Sequence, residues 1–190
     1  MDLAIKGKEV CTRVFKIIIE YIRETKGDET LVDDILNRIS LSKDDYKNAN
    51  HWESREQLLT LFDIVKGMFD EKDILFYIGQ KSIDFKKVGL LLSILRPMSG
   101  PAKLYNLVPQ YDKKFIRYSK FKIIHNGDNF VTYQMQFSEG YSLLKEDVDF
   151  IKGVLSCLPT IWGYDLAEIT EIETHYEERR TVIRCDWKEQ

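Results

Sequence analysis

Hydrophobic residues in the first half of the chain recur every three or four positions, the spacing of one face of an α-helix. A helix over residues 9–23 is predicted by the apolar positions Val10, Val14, Ile17, Ile18 and Tyr21. The same spacing predicts a second helix over residues 30–39, whereas the polar stretch 40–50 is typical of a connection. The first fifty residues are therefore expected to form a helical preface.

A capping motif marks the start of the next helix. The Ser54 hydroxyl can accept from the amide of Gln57, and the Gln57 side chain can reach back, which is the reciprocal arrangement of a capping box. The apolar spacing that follows predicts a helix from Ser54 to Phe69 and another over 70–81. Further helices are predicted over 88–95, ending before Pro97, and over 101–107.

Beyond Pro109 the hydrophobic period changes from helical to alternating. Val131, Tyr133, Met135 and Phe137 alternate with polar residues and predict a strand with one apolar face. Residues 115–124 are its expected partner, joined through Asn126-Gly127 as a turn with positive φ angles. A helix over 143–158 and a second hairpin of strands 166–176 and 181–187 complete the chain.

This order of elements predicts an α+β fold. Two hairpins form a four-stranded antiparallel sheet, and a layer of helices covers its apolar side. At 190 residues the chain is expected to be a single domain, with the preface at 1–50 and the core at 51–187.

Composition and charge narrow the classes of function. A net charge of −3 argues against nucleic acid as the main partner. The start Met1-Asp2-Leu3 is unlike a secretory signal and no apolar run is long enough to span a membrane, so a cytoplasmic protein is expected. The three cysteines are far apart, which gives little support for disulfides or structural zinc.

Candidate chemistry is sparse. The sequence contains neither a phosphate-binding glycine-rich loop nor a nucleophile elbow, which favours binding over catalysis. Glu173, His175 and Glu177 alternate and could share one strand face as a weak metal site, but an exposed acidic edge is the simpler interpretation. His51, beside Trp52, is a weak candidate for a heme axial ligand.

Aromatic residues exceed the needs of a minimal core. We interpret six of them as candidates for lining a ligand pocket between the helices and the sheet, with a plain core as the alternative for most: Phe62, Phe76, Tyr77, Tyr105, Tyr133 and Trp162.

Two stretches resemble a known superfamily, the heme-NO-binding and four-vinyl-reductase sensory domains of bacteria. The first stretch contains Trp52-Glu53-Ser54, Gln57-Leu58, Leu61-Phe62, Phe69 and Ile78-Gly79. The second is similar to the family's closing pattern and contains 150–155, Leu158-Pro159, Gly163, Ala167-Glu168-Ile169 and 183–187. Together they cover about residues 50 to 187.

This resemblance implies an α+β sensory input domain of a bacterial signalling protein, of the two-component or cyclic-nucleotide type. It further implies a homodimer and a C-terminal or separate output module, with a small apolar molecule as the expected ligand. The amphipathic helix Val10–Ile22 is a candidate dimer contact because its apolar stripe is wide.

The sequence also departs from the family's pattern. The string Tyr118-Ser119-Lys120-Phe121-Lys122 does not fit the Tyr-x-Ser-x-Arg motif of heme-binding members, so no cofactor is predicted and heme is disfavoured. Thr174 or His175 and Thr181 stand where many members have cysteines. A protein-interaction or assembly domain without a small ligand is the alternative function, and a reductase-like enzyme is a weaker one.

Overall fold

The computed structural model describes residues 7–83 and 100–188. Its helices are α1 Thr12–Lys26, α2 Thr30–Arg38, α3 Lys43–Lys47, α4 Arg55–Met68, α5 Ile74–Gln80, α6 Pro101–Tyr111 and α7 Lys145–Cys157. Its strands are β1 Val10–Cys11, β2 Trp52–Glu53, β3 Ser119–Asn126, β4 Phe130–Phe137, β5 Glu168–His175 and β6 Arg180–Asp186. Short 3-10 helices cover 81–83, 112–114 and 158–162.

The four longer strands form one antiparallel sheet in the order β3-β4-β6-β5. Each predicted hairpin is present, and β4 pairs with β6 at the centre, for example Tyr133 with Ile183. A separate two-stranded sheet joins β1 to β2, pairing Val10 with Glu53. The α+β class and the four-stranded antiparallel sheet are therefore confirmed.

One hydrophobic core runs from the helical preface to the last strand. The alternation of β4 places Val131, Tyr133, Met135 and Phe137 on the buried face, as predicted. On β6 the residues of the same face, Thr181, Ile183 and Cys185, are fully buried. The same core includes residues of α1, α2 and α4, so the preface packs against the sheet through continuous hydrophobic contacts.

The apolar stripe of helix α1 packs against the core of the same chain. Val14, Phe15, Ile18, Ile19 and Ile22 are each at most 4% exposed. The stripe that suggested a dimer contact is thus covered by the chain's own core, which removes the reason for placing a dimer there.

Several boundaries differ from the predictions. The connection 40–50 contains the short helix α3, which has no apolar period and whose first turn is capped by Ser42. The helix predicted over 70–81 begins only at Ile74, and that predicted to end at Leu107 continues to Tyr111. The helix predicted over 88–95 lies outside the described residues. Among the described residues, no helix is long and apolar enough to cross a membrane.

The first hairpin turn does not use positive φ. Neither Asn126 nor Gly127 has a positive φ angle, and the turn is closed by the Gly127 N–H donating to the Phe130 carbonyl at 2.9 Å. A Cβ at position 127 would lie 2.5 Å from the Phe130 ring. A larger residue at position 127 would therefore displace the Phe130 ring, and the turn geometry predicted from Asn-Gly is wrong.

Helices α5 and α7 cross with their backbones in contact at two glycines. A Cβ on Gly79 would lie 2.8 Å from the Val154 nitrogen, and one on Gly153 would lie 2.9 Å from the Phe76 carbonyl carbon. Such distances are shorter than carbon contacts in packed interiors allow. The two glycines thus set the separation of the helices and, through α7, the position of the helical layer on the sheet.

Candidate functional site

The interior between α6, α7 and the sheet is rich in phenol and thiol groups. Tyr105 on α6 is fully buried, and its hydroxyl donates to the Leu155 carbonyl at 2.7 Å. The Trp187 ring stacks on Tyr105 with centroids 4.7 Å apart. Tyr133 on β4 donates its hydroxyl to the Tyr105 carbonyl at 2.5 Å. Helix α6 is therefore held to the sheet by aromatic contact and by buried hydrogen bonds.

Two cysteines lie in the same region. Cys185 on β6 and Cys157 on α7 are buried and close enough to Tyr105 to influence its pKa. Burial is the main cause that raises the pKa of Tyr105 and of Cys185 well above their ordinary values. The Cys157 sulfur lies 3.3 Å from the Ser82 hydroxyl. Tyr105, Tyr133 and Cys185 are therefore neutral at physiological pH. We call the set Tyr105, Tyr133, Cys157 and Cys185 the interior donor cluster.

A buried ion pair connects the helical layer to the rest of the chain. Arg55, the first residue of α4, donates to Asp147 on α7 at 2.7 Å and to the Ser142 carbonyl at 2.6 Å. The guanidinium lies over the Tyr118 ring at 4.9 Å, and the Tyr118 hydroxyl lies 3.4 Å from Asp147. Glu9 accepts the Arg55 backbone N–H. Burial raises the pKa of Asp147, and Arg55 opposes this rise.

The six predicted pocket residues do not lie together in the structure. Tyr105 and Tyr133 meet in the interior donor cluster. Phe62 is buried on α4, with its ring 5.8 Å from that of Phe150. The rest of the set is nearer the surface: Phe76 and Trp162 are partly buried, and Tyr77 is 48% exposed.

A groove lies on the opposite, outer face of the sheet. It has a volume of about 650 Å³ and is open to solvent on one side. None of the predicted pocket residues lines it; its lining includes Ile124, His125, Phe130, Ile172, Arg180 and Arg184. Ile172 is 54% exposed and stands at a β-bulge of the edge strand β5, where the register shifts between Glu171 and Glu173.

The predicted metal set is only partly assembled. His175 pairs with Glu173 at 3.3 Å, and Glu173 is also paired with Arg180 across the hairpin. Glu177 lies in the turn after β5 and so does not share the strand face. A three-residue group that could hold a metal ion occurs elsewhere, at Asp45, His51 and Glu53. The sequence signal for it is the alternation of His51, immediately before β2, with Glu53 in β2, a pattern too short to predict a strand.

The three histidines of the chain all lie away from the interior. His125 and His175 are exposed, and both ring nitrogens of the partly exposed His51 face carboxylates. Among the described interior residues, the phenols and thiols of the interior donor cluster are candidate ligands for iron, as is the thioether of the buried Met135. Both phenolate and thiolate ligate heme iron in proteins, so the cluster fits a heme in donor chemistry.

No protein-family model matches the sequence, and no curated protein matches it. Several solved structures, however, match the fold of the chain. An H-NOX protein from K. algicida in the unliganded Fe(II) state has 12% identity and a TM-score of 0.65, covering 95% of this chain and 97% of its own. A mutant H-NOX protein from S. oneidensis in the Fe(II) ligation state has 9% identity and a TM-score of 0.70, with 94% and 96% covered.

An oxygen-binding H-NOX domain related to soluble guanylate cyclases, in complex with oxygen, has 13% identity and a TM-score of 0.65, covering 93% of this chain and 94% of its own. These matches extend over nearly the whole length of the sequence. They define the class of structure: this protein has the H-NOX fold, as the resemblance in the sequence predicted.

The same structures correct the prediction about the cofactor. Heme was disfavoured because the string 118–122 departs from the Tyr-x-Ser-x-Arg motif. The proteins that share the fold are H-NOX domains, which bind heme, and they are described in Fe(II) and oxygen-bound states. The prediction is wrong because one five-residue string carries less information than the fold of the whole chain.

Proposed function

We propose that the chain is a ligand-binding sensory domain, with its ligand in the interior between α6, α7 and the sheet. The observation that carries this proposal is the H-NOX fold over more than nine-tenths of both chains in each comparison. The buried polar contacts of Tyr105 support it, because they tie helix α6 to both α7 and the sheet. A ligand that displaced these contacts would change the position of α6.

Heme is the first ligand to test, because the proteins of this fold point to it. When bound, heme supplies an iron centre to which a gas such as oxygen can bind. In this chain Tyr105 would hold the group through its phenol oxygen, with Cys185 on β6 as the neighbouring thiol. Both must lose a proton to ligate iron, and burial disfavours that loss without a cation nearby.

Titration of the purified protein with hemin, followed by absorbance, tests this proposal. We expect a Soret band that saturates at about one heme per chain, together with a rise in Tm. Tyr105→Phe should change the position of the band or abolish it. Tyr46→Phe changes a phenol on α3 that donates to Glu20 and lies outside the interior donor cluster. It is the matched control and should leave the band unchanged.

A second panel tests the wider proposal of a small apolar ligand. If hemin gives no band but an aromatic compound or a lipid raises Tm, the heme part fails and the sensory function stands. If neither tetrapyrroles nor apolar compounds bind, the ligand-binding function itself is overturned.

The resemblance in the sequence supports a further detail, that the output is bacterial two-component or cyclic-nucleotide signalling. We propose that the domain binds its ligand without catalysing a reaction.

The outer groove favours a second candidate function, assembly with another copy of the chain. Ile172 projects from the bulge of an edge strand, the position at which sheets most readily meet a partner. Light scattering should then show a homodimer whose fraction rises with concentration and falls in Ile172→Glu. A monomer at every concentration would count against assembly through this face.

A further inference from the structure

Three potential metal ligands meet where α3 approaches the small sheet of β1 and β2. The Nδ1 atom of His51 lies 3.2 Å from a carboxylate oxygen of Asp45. The Nε2 atom of the same ring lies 3.1 Å from a carboxylate oxygen of Glu53. The imidazole is thus placed between two carboxylates that come from different elements, α3 and β2.

The group is supported by a second layer of hydrogen bonds. The other carboxylate oxygen of Asp45 accepts from the Ser42 hydroxyl at 2.6 Å. The His51 carbonyl accepts from both the backbone N–H and the hydroxyl of Thr12, at 2.9 and 2.8 Å. Glu53 is fixed by the pairing of β2 with β1. The Ser42 bond orients the Asp45 carboxylate, as outer partners do in metal sites. The bonds at His51 and the pairing of β2 fix the main chain from which the other two side chains project.

We propose that Asp45, His51 and Glu53 bind a divalent transition-metal cation of the zinc type. One ligand atom from each residue lies within 4.8 Å of the others. Two ligands on opposite sides of a cation are separated by twice a metal–ligand bond, which is about 2.0–2.2 Å for nitrogen and oxygen ligands of zinc. One ion can therefore reach all three atoms after small side-chain movements.

The donor set decides which cations fit. An imidazole with two carboxylates suits zinc, manganese, iron or nickel, whereas magnesium and calcium prefer oxygen ligands alone. A dication also balances the charge of the two carboxylates, and three protein ligands leave a position for water. Bound there, the ion would tie α3 to β2 and, through the β1–β2 pairing, to the start of α1. The site is separate from the interior donor cluster and does not depend on the proposed heme.

Zinc binding by the untagged protein tests this proposal, with isothermal titration calorimetry and thermal unfolding as readouts. We expect about one zinc per chain, a rise in Tm that EDTA reverses, and no such rise with magnesium. His51→Ala should weaken binding at least tenfold, the range seen when metal-site groups are removed. His175→Ala is the matched control, since His175 pairs with the single carboxylate of Glu173 at the surface and should leave zinc binding unchanged.

Glu53→Gln keeps the size of the side chain and removes its charge, so it tests the site even if His51→Ala does not fold. It too should bind zinc at least tenfold more weakly, while circular dichroism shows an intact fold. The proposal is overturned if the wild-type protein does not bind zinc, or if binding persists unchanged in the folded His51 and Glu53 variants.

Discussion

Asp112 is a carboxylate whose surroundings do not suit its charge. It follows α6 directly, and one of its side-chain oxygens is buried without a hydrogen-bond partner among the described residues. Burial is the main cause that raises the pKa of Asp112 from 3.8 to about 7, and Lys113 opposes it only partly. The folded protein therefore holds this proton at pH values where the unfolded chain has already lost it.

The sign of the resulting pH dependence follows from linkage. Between about pH 4 and pH 7 the folded state binds more protons at Asp112 than the unfolded state, so this group lowers stability as pH rises through that window. Asp112→Asn removes the ionisable group. We expect it to raise the free energy of unfolding by about 2 kcal/mol at pH 8, given about 1.4 kcal/mol per pKa unit and partial solvent screening.

Urea denaturation at pH 4 and pH 8 measures this effect. The gain should be present at pH 8 and nearly absent at pH 4, where Asp112 is largely protonated in the folded state. Asp34→Asn, at an exposed position on α2, is the control and should show little change at either pH. An equal gain at both pH values would contradict the assignment to the charge of Asp112.

Local patterns in the sequence predicted the features that local physics determines. The capping box of Ser54 and Gln57 is present with both of its hydrogen bonds, because each partner is within one helical turn. Strand β4 could be predicted from its alternating apolar residues because one face of that strand is buried. The burial of Asp112 could not be predicted from the sequence, because it arises from the packing of its neighbours and not from any pattern around residue 112.

At the scale of elements, the crossing of α5 and α7 depends on the absence of two side chains. Gly153→Ala places a methyl group against the backbone of α5 at Phe76 and Gln80. Backbone atoms cannot rotate away as a flexible side chain can, so the helices must separate. We expect a loss of about 2–3 kcal/mol in the free energy of unfolding, the range of overpacked cores.

Gly67→Ala is the matched control within another helix. Gly67 lies in α4 at an exposed position, and a Cβ there meets no atom within 4 Å. Alanine should therefore stabilise the helix by up to about 1 kcal/mol. If close backbone contact sets the helix crossing, chemical denaturation should show a lower free energy of unfolding for Gly153→Ala and a higher one for Gly67→Ala. Equal small effects would show that the helices adjust freely.

Elements without a hydrophobic period escaped prediction. Helix α3 has a single aromatic residue, Tyr46, and its first turn is capped by Ser42, so the stretch containing it was interpreted as a connection. The site at Asp45, His51 and Glu53 was missed for a related reason, since it combines this helix with a two-residue strand. The weak set at Glu173, His175 and Glu177 was chosen instead because its alternation continues that of a long strand.

At the scale of the whole molecule, Arg55 and Asp147 join parts of the chain that are 92 residues apart. No sequence pattern indicates this pair, because each residue resembles an ordinary charged position in the first turn of a helix. The two side chains are 8% and 2% exposed, so their charges depend on one another. The Arg55 guanidinium also lies between Asp147 and the rings of Tyr118 and Phe137.

Removing Arg55 should therefore cost far more than removing a surface arginine. Arg55→Met leaves the Asp147 carboxylate buried without its cation, and we expect a loss of about 3–5 kcal/mol at pH 7. Arg180→Met breaks the solvent-screened surface pair with Glu173 and should change stability little. Urea denaturation of both variants at pH 7 gives the comparison.

The pH dependence of Arg55→Met separates loss of charge pairing from loss of packing. Burial already raises the pKa of Asp147, and without Arg55, which opposes that rise, it should increase further. The unfolded carboxyl keeps its ordinary value of 3.8, so the folded variant binds more protons and loses stability as pH rises above about 4. The cost of the substitution should then be small at pH 4 and grow towards pH 8. If instead the cost is the same at both pH values, Arg55 stabilises the fold by packing against Tyr118 and Phe137, and the ion pair does not couple α4 to α7.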